Sequence, residues 1–510
     1  MFEDIVPKEE KVIRIENKRF IASKQLQPGT ALFIEPPLVS VPLPSKRHQR
    51  CNYCLCKAQL QCCSRCRSAY FCSNACFRNA WLQFHRILCE PQERDIYIHV
   101  DADPWLLQRA ALILHSLNKQ QSHSPPNIAI KVLQELDTGD LCDTGSDWIE
   151  DVTTFLSPFD CQFSLEQLRS LWRRLQVCSF PIYDLEHHMD QVAVGVYPIT
   201  AMYVQHSCRP NSAVVYKEGK QYLIAIETIH SGDPITIAYT DLISTKRQRW
   251  DQLKMRFGKD YECDCIRCCG ELSGLDILLE KGHRTVPDED KGKKLISQCI
   301  KEWSVLRMFK HADQIENWTP IEVMNPHHFT RITSRIIIPE ICSTTMSSRK
   351  RYHHINKTHV SQDKGQLLSR LPIAIEAISN VPDVPAFTSS SIHAAEKVLI
   401  DRMKAGNWVE ASRCSLYLFI AYCLIYPPHH PKASYHSLIL ARSCWNALVE
   451  MELIGINRKL ERVYENGARA WIEWAKDAVC LTFGKETKLW REVIELQWVF
   501  DREQKVKSSN

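Results

Sequence analysis

Cysteines crowd residues 51–90, "CNYCLCKAQLQCCSRCRSAYFCSNACFRNAWLQFHRILCE", where CxxC and CxxxC pairs recur and a His-x-x-x-Cys pair closes the run. A tetrahedral zinc shell needs four nitrogen or sulfur donors at about 2.0 to 2.3 Å, and donors a few residues apart let one turn supply half of it. Four such pairs make two complete shells. The candidates are Cys51, Cys54, Cys63, Cys66, Cys72, Cys76, His85 and Cys89. Cys56 and Cys62 fall beside this set, and taking Cys62 instead of Cys63 gives a CxxxC pair of acceptable spacing. So short a segment has little core of its own, so metal is expected to hold it folded. A second knot of polar atoms, "VQHSCRPNSAVVY" at 204–216, runs straight into an apolar strand. Pro210, Asn211 and Ser212 alone would suit a surface turn.

The remaining sequence sets the frame for these residues. The chain has 510 residues, 45% of them hydrophobic, with a net charge of +5. That is enough apolar matter for two or three cores, and too little net charge to argue for nucleic acid. The N-terminus "MFEDIVPKEEKVIRIENK" has no apolar targeting core, and no run of eighteen apolar residues occurs. The expectation is a soluble protein of the cytoplasm and nucleus with no membrane segment, in which 23 cysteines are metal ligands and buried thiols instead of disulfides. Short apolar runs flank "QPG" within residues 19–42, and strand-like runs resume between 191 and 242 as "QVAVGVYPI", "AVVYKEG", "QYLIAIETI" and "PITIAYTDL". Between them "DPWLLQRAALILHSLNK" and "SLEQLRSLWRRLQVC" have helical spacing. The pattern is a β-fold split by a zinc finger and a helical insert, with residues 10–48 pairing with segments after 190 and the finger projecting from that core. From 273 onward helical patterns follow one another, among them "KLISQCIKEWSVLRMFKHA", with a basic loop "SSRKRYHHINK" at 347–357.

The finger resembles the MYND zinc finger: "CNYC", "CSRC", "YFCSNAC", Trp81 and "HRILC" follow that family's order. The resemblance implies cross-braced pairing, with Cys51, Cys54, Cys72 and Cys76 on one zinc and Cys63, Cys66, His85 and Cys89 on the other. It also implies a module that binds proteins, typically proline-rich peptides, and no direct contact with nucleic acid. "QHSCRPN", "GDPITIAYTD" and "YECDCIRC" in turn resemble the SET domain of the SMYD (SET and MYND) protein lysine methyltransferases, in matching order over residues 10–270. That likeness implies an α+β fold: SET strands in 1–48 and 191–245, a finger in 49–90, a helical insert in 91–190, a post-SET zinc segment in 246–272 and a TPR-like helical domain in 273–510. It implies S-adenosylmethionine as cofactor and a third zinc on Cys208, Cys263, Cys265 and Cys268. Tyr239 stands where the catalytic tyrosine should, Phe180 lines the lysine channel, and Lys18, Arg19, Gln205, His206, Asn211, Tyr239 and Tyr261 border the cofactor. The partner implied is a protein or peptide carrying a lysine, histone or otherwise, and a monomeric enzyme is expected.

The chain departs from that pattern in several places. Asn17, Lys18 and Arg19 stand where the family has Gly-x-Gly, Gln205 replaces the motif's opening asparagine, Cys178 replaces the asparagine of Asn-Ser-Phe, and Lys259 replaces a tyrosine. Three readings stand side by side: an active lysine methyltransferase, a SET-MYND scaffold that binds partners without turnover, and, least favoured, a nucleic-acid-binding zinc protein.

Overall fold

The computed structural model describes residues 12–89, 101–120, 127–136, 147–159, 163–184, 189–270, 275–276, 279–280, 388–427, 429–454 and 458–509. The basic stretch 347–357 and the helix expected within 294–312 lie outside the described residues. The chain divides into two units, residues 1–239 with 250–262, and residues 240–249 with 263–510.

In the first unit, β1 (Ile13–Glu16) and β2 (Arg19–Ala22) form a hairpin with Glu16 opposite Arg19. Its two turn residues, Asn17 and Lys18, have φ of 49° and 58°, the left-handed pair that a tight hairpin turn requires. β3 (Ala31–Glu35) pairs antiparallel with β11 (Lys220–Ala225), which pairs with β10 (Ser212–Lys217). β4 (Val39–Pro42) pairs with β8 (Gln191–Val196), and β8 with β7 (Ser179–Tyr183). Strands that precede the finger thus close sheets with strands far downstream. Two short parallel strands, β9 (Gln205–His206) and β12 (Thr236–Ile237), thread the polar knot beside these sheets. Phe20, Tyr197, Tyr203, Ile235 and Ile237 are buried in the core they share.

The finger is two strands, β5 (Gln61–Cys62) and β6 (Tyr70–Phe71), followed by α1 (Asn74–Ala80), which runs through a π-turn at Trp81–His85 to Leu88. The insert adds α2 (Ala102–Gln120), α3 (Ile128–Glu135), α4 (Trp148–Leu156) and α5 (Leu165–Cys178). Ser164 starts α5 with a reciprocal capping box to Gln167. The expectation that the finger projects from the core needs correcting. Phe71, Ala80, Phe84 and Leu88 of the finger share one buried cluster with Trp105, Leu107 and Ala111 of α2 and with Val39 and Val41 of β4. Arg109 of α2 seals the contact: Nη1 donates to the carbonyls of Ser40 (2.5 Å) and Asn52 (2.8 Å), and the guanidinium lies over the rings of Phe84 and Trp105. The finger is a wall of this unit because its apolar face is buried against α2 and β4.

In the second unit, α8 (Ser389–Lys404), α9 (Trp408–Ile425), α10 (Pro431–Ile454), α11 (Arg458–Phe483) and α12 (Lys488–Ser509) pack consecutively, each on the next. Near its start Asp276 accepts from Arg249 (2.8 Å) and Arg267 (3.0 Å), both with fully buried side chains. Those guanidiniums also donate to the carbonyls of Ser244 and Leu242, which binds the chain before and after the post-SET cysteines into one buried network. Among the described residues no helix is long and apolar enough to cross a membrane.

Candidate active site and metal centres

Two turns of the same kind start the finger's metal groups. Leu55 N–H donates to the Cys51 carbonyl and Arg67 N–H to the Cys63 carbonyl, both at 2.9 Å. Leu55 and Arg67 each follow the second cysteine of a pair and take φ of 62° and 52°. Such a left-handed step folds the chain back so that both sulfurs of the pair face one point. The other ligands lie around and beyond α1: the Ser73 hydroxyl caps that helix by accepting from Cys76 N–H and so fixes Cys76 one turn from Cys72, while His85 ends the π-turn and Cys89 follows Leu88.

The result is two groups, Cys51, Cys54, Cys72 and Cys76, and Cys63, Cys66, His85 and Cys89, whose donor atoms lie within 4.8 Å of one another. Cys54 and Cys76 sulfurs are each 3.5 Å from that of Cys72, Cys63 and Cys89 sulfurs are 3.8 Å apart, and Cys66 Sγ is 3.8 Å from His85 Nε2. Vertices of a zinc tetrahedron with 2.3 Å bonds are about 3.8 Å apart. The donor sets fit zinc, and each is one half of the cross-braced pairing. Of the two choices left open by spacing, Cys63 joins the shell, while Cys62 is exposed and lies outside it. In the second unit Cys263, Cys265 and Cys268 come within the same reach of one another. Cys208 is fully buried in the first unit, 3.2 Å from His206 Nε2.

The polar knot is built around Tyr239. Its N–H donates to His206 Nδ1 (3.1 Å), and its hydroxyl donates to the carbonyls of Val204 (2.8 Å) and Thr200 (3.2 Å). Both carbonyls belong to α6 (Pro198–Tyr203) and the residue that caps it. Burial raises the Tyr239 pKa well above the usual phenol range, so the hydroxyl stays neutral. Phe180 and Phe257 flank the ring, with centroids at 5.4 and 5.3 Å, and Tyr261 lies on Phe257 at 4.9 Å. Phe257 ends α7 (Lys246–Phe257). The preceding Arg256 lies with its guanidinium carbon 4.7 Å from the centroids of both Phe180 and Tyr239.

The other expected residues are distributed as follows. Asn211 is spent on its own loop: its amide oxygen accepts from Thr236 N–H and its NH2 donates to the Pro234 carbonyl. Gln205, with its amide oriented to satisfy its neighbours, accepts from Arg19 Nε at 2.8 Å, so two departures from the family pattern pair with each other. Lys18 stays in the hairpin turn. Cys178 is buried with its thiol on the Arg174 carbonyl (3.0 Å), and burial raises its pKa far above the usual thiol range. Residue-type reasoning passed over Glu35 and Arg256. Glu35 closes the apolar run of β3, and Arg256 belongs to "KRQRWDQLKMRF", which reads as a solvated helix.

Residues 19–240 match the SET domain model. The chain is similar to histone-lysine N-methyltransferase SMYD3 of Mus musculus, 29% identical over 263 residues that cover 50% of this chain and 59% of the relative. It is also similar to N-lysine methyltransferase SMYD2 of Homo sapiens, at 24% over 340 residues covering 64% and 71%. A third relative is histone-lysine N-methyltransferase ASHR1 of Arabidopsis thaliana, at 19% over 288 residues covering 54% and 58%. The chain thus spans little more than half the length of SMYD3 and ASHR1.

Proposed function

The chain carries a SET domain and is a relative of the SMYD proteins, and from that premise we propose that it is a protein lysine N-methyltransferase that uses S-adenosylmethionine and acts on a lysine of a protein or peptide. The observation that carries this reading is the anchoring of Tyr239. Its proton is committed to the Val204 and Thr200 carbonyls, so toward a substrate its oxygen can only accept. Accepting from an amine N–H would hold the nitrogen and turn its lone pair away, an alignment effect that supplies much of the rate in an in-line transfer. Phe180 and Phe257 flank the Tyr239 ring and would line the approach of the lysine side chain.

The cofactor, when bound, supplies an electrophilic methyl group on a sulfonium. Part of its implied border has chemistry that suits it. The turn at Asn17 and Lys18 keeps the left-handed backbone that glycine would provide, and Lys18 and Arg19 would offer cations to the cofactor's carboxylate. Three zincs would be structural, two in the finger and the third on Cys263, Cys265 and Cys268 with Cys208 as its fourth ligand. The finger's own role would be to bind proline-rich peptides.

Calorimetric titration with S-adenosylmethionine, followed by methyl transfer to a lysine-peptide array, tests the proposal. Saturable binding and lysine methylation are expected. Zinc-replete protein that binds neither cofactor nor methyl acceptor overturns it in favour of the scaffold reading, which the Arg19–Gln205 pair supports by filling the cofactor's border with side chains.

A further inference from the structure

One cation lies inside the aromatic group that surrounds Tyr239. The Arg256 guanidinium carbon is 4.7 Å from the ring centroids of Phe180 and Tyr239 and 5.9 Å from that of Phe257. Nη2 donates to the Ser179 carbonyl at 3.0 Å, which tethers the group at the start of β7. Nε is buried with no hydrogen-bond partner, and among the described residues no carboxylate is paired with Arg256. An arginine taken out of water is ordinarily held by a carboxylate or phosphate fork. Here the ring faces, which carry the negative part of the aromatic quadrupole, take that place.

A lysine ammonium is drawn to ring faces by the same force, and two cations cannot occupy one such seat, because like charges at contact distance repel strongly away from water. We propose that Arg256 is a built-in surrogate for the substrate's ammonium: it fills the seat between Phe180 and Tyr239 at rest, and a lysine side chain enters only by displacing it. This rests on the reading that Phe180 and Tyr239 line the lysine channel. The end of α7 is made for such a displacement. Phe257 is the last helical residue, and Gly258 follows at φ +108° with nothing within 4 Å of where a side chain would begin. A permissive backbone with open space beside it lets the last turn unwind and carry Arg256 out.

The probe is the n-butyltrimethylammonium ion, titrated into the full zinc-loaded chain by calorimetry. Wild type is compared with Arg256→Ala, with Arg256→Met, which keeps the apolar stem, and with Lys254→Ala as a control on the same helix. Both Arg256 variants are expected to bind at least about tenfold more tightly than wild type, with the control unchanged. Equal affinity in folded variants with the wild-type zinc content overturns the proposal. Should both variants melt, wild type decides: saturating probe is expected to move the ring-shifted Arg256 resonances to solvent values, and unmoved resonances overturn the proposal. Methyl transfer measured in the same samples separates the two readings. Tighter probe binding with no transfer in any sample keeps the surrogate and rejects the enzyme, whereas transfer with unchanged probe affinity keeps the enzyme and rejects the surrogate.

Discussion

Glu35 and Tyr239 meet on one residue, Thr200. The Glu35 carboxylate accepts from Thr200 N–H (2.8 Å), from its Oγ1 (2.7 Å) and from Ile199 N–H (2.9 Å), while the Thr200 carbonyl accepts from the Tyr239 hydroxyl (3.2 Å). A buried acid at one end of α6 therefore fixes the six-residue helix whose other end anchors the tyrosine.

Tyr239→Phe should fold and bind cofactor nearly as wild type does, losing about 1 kcal/mol of stability with the hydroxyl's hydrogen bonds. Methyl transfer should slow at least about tenfold, corresponding to about 1.4 kcal/mol of barrier. Single-turnover transfer to a lysine peptide measures the effect, and an unchanged rate would remove Tyr239 from the chemistry.

Glu35 gives the first unit a pH dependence of definite sign. Burial, the largest influence, outweighs its three hydrogen bonds and pushes its pKa up to about 7 from 4.5. A carboxyl that holds its proton more tightly in the folded state contributes most below pH 4.5 and loses that contribution as pH rises through 7. The loss is on the order of 3 kcal/mol. Urea titrations between pH 4.5 and 8 should show stability falling over that window in wild type, with the fall absent in Glu35→Gln.

Metal analysis should return three zincs per chain. Cys63→Ser should lose one and Cys62→Ser none, and chelation should lower the melting temperature because structural zinc contributes folding energy directly. Loss of zinc from Cys62→Ser would mean that the alternative CxxxC pair is the real shell.

Deleting residues 49–90 with a short Gly-Ser bridge should leave a molten or insoluble chain, since it strips the cover from Val39, Val41, Trp105 and Leu107. Arg109→Ala should cost roughly 3 kcal/mol through its two buried charge-assisted hydrogen bonds and ring contacts. Near-UV circular dichroism of the deletion reports on packing, and a native spectrum would restore the picture of a separable finger.

In the second unit, Asp276→Asn leaves Arg249 and Arg267 buried without a counter-charge. The expected cost is about 3 to 5 kcal/mol, the usual consequence of breaking a buried ion pair from one side. Thermal melts of the variant check it.

The sequence made the ligand residues legible because coordination chemistry restricts both residue type and spacing, as at Cys51 and Cys54. Tyr239 was legible through motif order. What escaped was set by packing between segments distant in sequence. Nothing local distinguishes Arg256 from the exposed Arg247 or the half-buried Lys254 on the same helix until β7 brings Phe180 beneath it. Glu35, at the end of β3, gave no sign of its partners until α6 presented its N–H groups. The finger's attachment was hidden for the same reason, since Arg109 reaches carbonyls of Ser40 and Asn52 across a gap no spacing rule spans.

The pairing of Val39 with Val196, on the order of 150 residues apart, has a consequence for synthesis. At roughly 5 to 20 residues per second, β3 and β4 leave the ribosome many seconds before β8 and β11 exist to pair with them. The finger is complete by Cys89 and can take up zinc during that wait. Its apolar face, ready beside Val39 and Val41, would then shelter the waiting strand from sticking to other nascent chains.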